Sequence, residues 1–202
     1  MASNEHSALD NTQLHVPKDF SSASANTVLT KNGSNALTWA DDNLRRMQHI
    51  RVSGFFQKNS TAEHAPTYAG NSTHVWDTVV TDGTADAQDA VAQAQLYATR
   101  AGYVNAFAGV IACTSGKTIN LKVYKGTPAD ASAASIDLTQ LGDTATETGG
   151  GNTNVDVFAA GSMGSSAAFS AGDIIIVTIS SGDASSTTTA RFNGTLEIVY
   201  ND

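Results

Sequence analysis

The chain has 202 residues, 41% of them apolar and only 15% charged, with a formal net charge of −8. That length holds one ordinary domain and an appendage. A charged fraction below the roughly 25% usual for globular chains leaves much of the surface to Ser, Thr, Asn, Gly and Ala, which favour turns and short strands over helices. Residues 1–60 hold six of the eleven basic and five of the nineteen acidic residues, a net of +1, and residues 61–202 hold the rest, a net of −9. An acidic body repels phosphate backbones, which excludes it as a nucleic-acid binder. Arg45, Arg46 and Arg51 are then solvated or interface residues. The single cysteine, Cys113, excludes an intramolecular disulfide and lies in an apolar run as a small buried hydrophobe. No apolar run approaches the ~20 residues of a membrane helix. The opening Met-Ala-Ser-Asn-Glu-His has no signal character, so synthesis in a cytoplasm and no membrane partner are expected.

Residues 1–45 lack the periodicity of a core. Single large apolar residues, among them Leu14, Val16, Phe20 and Trp39, are spaced through Asn, Ser, Thr and Ala, and Pro17 interrupts pairing locally. Asn32-Gly33 is a turn signal between Thr27–Thr30 and Ala36–Trp39, predicting a small hairpin within an extended arm; plain disorder is the alternative reading. His49–Phe56 has strand character. Residues 58–73, with Pro66 and Gly70, read as a linker. The arm is therefore assigned to residues 1–70 and the body to 71–202.

The body is a series of strand-sized pieces. His74–Val80 is the first. Val91–Thr99 is the second: its Ala and Gln content suits a helix, but Ala94, Leu96 and Ala98 alternate with Gln93, Gln95 and Tyr97, which reads as a strand. Gly102–Ala112 has two apolar faces, Tyr103, Phe107 and Ile111 on one and Val104 and Val110 on the other. Thr118–Lys125 alternates cleanly, with Ile119, Leu121 and Val123 inward and Asn120, Lys122 and Tyr124 outward. Strands follow around Ile136–Leu141 and Asn154–Phe158. Gly172–Ile179 places Ile175, Val177 and Ile179 on one face and Ile174, Ile176 and Thr178 on the other. Both faces are oily, so both need a cover. In Thr188–Tyr200, Asn193-Gly194 could turn a hairpin, but the register opposes it: a turn there pairs Arg191 with Leu196. One unbroken strand puts Ala190, Phe192, Leu196, Ile198 and Tyr200 on a single face and makes Gly194 a bend or a close backbone approach. About eight strands at regular spacing predict an all-β jelly-roll β-sandwich preceded by the arm.

No catalytic, metal or cofactor set emerges. The five histidines lack zinc-ligand spacing. Gly149-Gly150-Gly151 is followed by no Lys-Ser or Lys-Thr pair, and Asp82, Asp86 and Asp89 lack the calcium-loop pattern. No Gly-x-Ser-x-Gly elbow is present, so no enzyme is indicated.

Two stretches carry a resemblance. Asp10–Phe20, continuing through Ala25–Lys31 to Leu37-Thr38-Trp39, resembles the N-terminal arm of structural proteins of tailed bacteriophages. Leu121–Pro128, Phe169–Asp173 and Phe192–Leu196 resemble the jelly-roll modules such phages use for capsid decoration and fibres. The resemblance implies a capsid decoration, or cement, protein on the virion surface, made in the host bacterial cytoplasm. Its partners would be the major capsid protein and itself, as a homotrimer. The alternative is a fibre or adsorption protein binding host carbohydrate. Leu14, Val16, Phe20 and Trp39 are the expected capsid-docking residues, and Ile174, Ile176 and Val104 the expected oligomer interface.

Overall fold

The structure, a computed structural model, describes residues 27–31, 37–41, 47–58, 61–64, 84–86, 94–128, 135–183 and 185–201. The chain divides into two compact units, Met1–Arg45 and Arg46–Asp202. In the first, β1 (Thr27–Lys31) and β2 (Leu37–Asp41) pair antiparallel, with Thr27 opposite Asp41 and Lys31 opposite Leu37. These are the two strands the sequence predicts on either side of Asn32-Gly33, and residues 32–36 between them lie outside the described residues. Leu14, Val16 and Phe20 lie outside the described residues, and Trp39 lies in β2, opposite Leu29.

The second unit is built from β3 (Met47–Lys58), β4 (Thr84–Asp86), β5 (Leu96–Tyr97), β6 (Gly102–Cys113), β7 (Thr118–Gly126), β8 (Ser135–Thr148), β9 (Asp156–Ala159), β10 (Ala168–Phe169), β11 (Ile174–Ser181) and β12 (Thr188–Tyr200). Sheet 1 has the order β10-β6-β12-β3, with β9 also on β6, and sheet 2 has the order β4-β8-β7-β11-β5. Every pairing is antiparallel. In chain order the strands visit sheet 1 (β3), sheet 2 (β5), sheet 1 (β6), sheet 2 (β7, β8), sheet 1 (β9, β10), sheet 2 (β11) and sheet 1 (β12). Taking β9 and β10 as one interrupted strand and setting β4 aside, eight strands wrap into two four-stranded sheets. That is the jelly-roll connectivity.

The sandwich begins earlier than residue 71. β3, inside the stretch assigned to the arm, pairs with β12 from Met47 opposite Val199 to Lys58 opposite Thr188. The linker composition that follows it separates two strands of one sandwich rather than arm from body. Among the described residues of Val91–Thr99, only Leu96–Tyr97 pairs in a strand, while His74–Val80 lies outside the described residues.

The core lies between the sheets. Val52, Phe56, Phe107, Ile111, Phe158, Phe192, Leu196 and Ile198 from sheet 1 meet Ile119, Leu121, Val123, Leu141, Ile175, Val177 and Ile179 from sheet 2. β12 is unbroken. It pairs along both edges, with β3 on one side and β6 on the other, and its buried residues alternate as the continuous register requires. Gly194 is the close approach. A Cβ there would stand 2.8 Å from Phe158 Cζ and 3.2 Å from Phe107 Cε2. Its missing side chain is the space those two rings fill, and they meet edge to face at 5.1 Å between centroids.

β6 departs from simple alternation. In β6 the register against β12 shifts between Glu197 and Ile198, with Ala106 opposite Glu197 and Val104 opposite Ile198. Asn105 is the extra residue of a β-bulge. The bulge returns Val104 to the same face as Phe107 and Ile111, where it is fully buried in the core, while Val110 stays outward. Val104 therefore does not face a neighbouring subunit.

The register predicts a contrast between adjacent residues. Leu196 is fully buried and Thr195 is exposed. Leu196→Ala should cost roughly 2–5 kcal/mol in chemical denaturation, as buried Leu truncations do, and Thr195→Ala under about 1 kcal/mol. Similar small losses at both positions would contradict the continuous strand.

Candidate functional site: the outer faces of the sandwich

Sheet 2 carries a second apolar layer on its outer face. Ile174 and Ile176 are buried there with Tyr124, Ile136 and Leu138, and Ala94 packs against them. In register, Ile176 lies beside Tyr124, Ile174 beside Gly126, and Gly126 beside Leu138. Gly126 leaves a gap in that row. A Cβ there would stand 2.6 Å from Leu138 Cδ2 and 2.7 Å from Ile136 Cγ2, so these two side chains close over it. The oily second face of β11 is thus covered within one chain. Ile174 and Ile176, expected at an oligomer interface, are not at the surface, and they lie on the opposite side of sheet 2 from Val104.

Beside this layer sits a carboxylate that no local pattern singles out. Glu63 accepts hydrogen bonds from Tyr124 Oη at 3.0 Å, Thr178 Oγ1 at 3.0 Å and Lys122 Nζ. Its side chain is only 13% exposed. The neighbouring His64 exchanges two backbone bonds with Ile179, at 2.9 and 2.7 Å. Residues 61–64 are thereby fastened to the edge of β11 that β7 leaves open. The same edge is closed at Ile174 and Ile175 by β5. The only sequence signal was that Lys122 and Tyr124 alternate outward with Thr178 on the neighbouring strand; their partner, far away in the chain, carries no local mark.

The corner before β11 is also explained. Asp173 is buried; it accepts from the Ser170 backbone N–H at 2.7 Å and from Thr127 Oγ1 at 2.5 Å. The Phe169–Asp173 motif therefore ties the end of β10 and the end of β7 to the start of β11. At the opposite turn, Asp183 meets Lys117 Nζ at 3.0 Å and Ser185. The Ser185 hydrogen bonds, then Lys117, hold its carboxyl below the usual range. Cys113 is buried against the Gly149 loop, and burial pushes its thiol up, away from the reactive thiolate. Among the described residues, no group of three or more His, Cys, Asp or Glu side chains could hold a metal ion.

The outer face of sheet 1 differs from that of sheet 2 in being open. Arg191 lies over the Phe55 ring at 5.1 Å, Arg51 Nε donates to Asn193 Oδ1 at 3.0 Å, and Glu197 meets His49 Nε2 at 3.2 Å and Asn105. Beyond these polar positions, Val110, Val155 and Val157 are 42%, 66% and 73% exposed.

No family model matches the chain, and no curated protein matches it. Among solved structures it is similar to two of infectious bursal disease virus. The Gt strain structure gives a TM-score of 0.39 at 11% identity, covering 85% of this chain and 37% of that one. The Gx strain structure gives 0.37 at 10% identity, covering 86% and 36%. This chain spans little more than a third of those chains. At such scores the likeness carries no argument, and the jelly roll rests on the strand pairing itself.

Burial, and then the Glu63 charge, raise the Tyr124 phenol above its usual range. A phenol whose folded value lies above its unfolded value of about 10 contributes stability below that pH and loses it as the pH rises beyond it. Unfolding free energy should therefore fall above about pH 10 in a part that Tyr124→Phe removes, although the variant loses about 1 kcal/mol near neutrality with its hydrogen bond. An alkaline limb identical in both proteins would contradict the raised phenol.

Proposed function

We propose that this chain is a non-enzymatic virion structural protein of a tailed bacteriophage, a decoration protein that binds the major capsid protein and stabilises the assembled shell. The carrying observation is the division of the chain into an N-terminal unit, Met1–Arg45, and a sandwich with a complete core of its own. With a buried core of its own, the sandwich is proposed to leave the first 45 residues to attachment. The arm resemblance supports the same division of labour. Leu14, Val16, Phe20 and Trp39 are proposed to fill separate apolar pockets along the shell, and many small contacts must offset about 1–2 kcal/mol of backbone entropy per ordered residue. In this reading the protein is made in the host bacterial cytoplasm and sits on the capsid surface.

The adsorption alternative calls for exposed aromatic rings on which sugars stack. Among the described residues the exposed large apolar side chains are Tyr97 and three valines. That favours the decoration reading.

A chain starting at Arg46 keeps β3 and should fold with a melting temperature close to that of the full-length protein. It should fail to bind undecorated shells in co-sedimentation, while the full-length protein binds them. Binding should weaken little in high salt, because the anchoring side chains are uncharged. Shell binding by the shortened chain at full-length affinity would place the anchor in the jelly roll and overturn the reading.

A further inference from the structure

Half of the outer face of sheet 1 breaks the rule for a sheet facing water, which is apolar inward and polar outward. The outward positions of β6 beyond its bulge are Ala106, Ala108, Val110 and Ala112, and those of the edge strand β9 are Val157 and Ala159. No polar side chain interrupts them. Rows run straight across the sheet: Val157–Val110–Asn193 and Ala159–Ala108–Thr195 are adjacent. On β12 the flanking charges stand at opposite ends of the patch, Arg191 beside Ala112 and Glu197 beside Ala106. Five residues lie between them, a rise of about 20 Å along the strand.

That pattern is self-complementary. A two-fold axis lying in the face, perpendicular to the strands at the level of Gly194, stacks β6 on β6 and β9 on β9 with strand directions reversed. Each Val110 then lies over Ala108 of the other copy and each Val157 over Ala159, large residue on small. Each Arg191 lies over the other copy's Glu197. The aligned arrangement suits two twisted sheets packed face to face, and small side chains permit the usual ~10 Å spacing. A single self-matching patch closes on two copies and leaves no open end.

We propose that the chain pairs with a second copy through the outer face of sheet 1, with the β6–β9 apolar patch at the centre and reciprocal Arg191–Glu197 contacts at its ends. The pairing does not depend on shell binding, so either can fail without the other. It replaces Ile174, Ile176 and Val104 as the self-association surface and takes two copies rather than three.

Sedimentation equilibrium on the full-length chain tests it. The wild type should be a dimer at micromolar concentration. Val157→Asp, at a largely exposed position that leaves the fold intact, should be a monomer. Arg191→Glu and Glu197→Arg should each raise the dimer dissociation constant by about tenfold or more, since each sets like charges opposite one another. An equal mixture of those two variants should form mixed dimers close to wild-type affinity, because the mixed pairing restores opposite charges at both ends. A monomeric or trimeric wild type, undiminished association in Val157→Asp, or a mixture that fails to recover would each overturn the proposal.

Discussion

The unbroken run of β12 through Asn193-Gly194 is the constraint on which the rest depends. It is the one strand that joins the N-terminal edge strand β3 to β6, so sheet 1 exists as a sheet only if β12 does not turn back. The period of two then fixes everything around it, since a one-residue slip would move Phe192, Leu196 and Ile198 from the core to water. The glycine that looks like a turn in the sequence is retained for a packing reason. Phe158 and Phe107 occupy the place of its side chain, so the bend signal and the core are reconciled at one residue.

β11 plays the corresponding part in sheet 2, under different rules. It is buried on both faces, and each face is served by its own set of residues. The inner face joins the main core, and the outer face is closed by the first half of β8, by Ala94 and by the Glu63 cluster. A carboxylate receiving hydrogen bonds from β7 and β11 brings a polar fastening to an otherwise oily surface, where an unpaired charge would be costly. Sheet 1, by contrast, leaves its outer valines open. The two outer faces thus have different fates: one is sealed within the chain, and the other is available to a partner.

Much of this was legible in the sequence where the determining contacts are periodic and local. The alternation of Ile119, Leu121 and Val123, the register of β12 and the double burial of β11 all follow from side-chain pattern. What covers the second face of β11 was not legible, because Ile136 and Leu138 reach it only through the fold, and Glu63 lies more than fifty residues from Lys122 and Tyr124. A neighbouring subunit was the natural substitute for a layer the sequence could not reveal. The position of Val104 is hidden for a different reason. A bulge at Asn105 inverts the alternation on its N-terminal side, and nothing local distinguishes that asparagine from any outward polar residue. β3 reads as a strand in the sequence, but the loop-like composition after it hides a connection within one sandwich and so groups it with the arm.

The proposed virion role draws on a β-sandwich with a buried core of its own. The most direct test is cryo-electron microscopy of the particle proposed to carry this chain, with symmetry imposed on the shell and relaxed at the tail. The account predicts jelly-roll density repeated over the capsid surface at symmetry-related positions, with N-terminal residues running along the capsid protein. Density confined to the tail, to fibres or to a single vertex would contradict it.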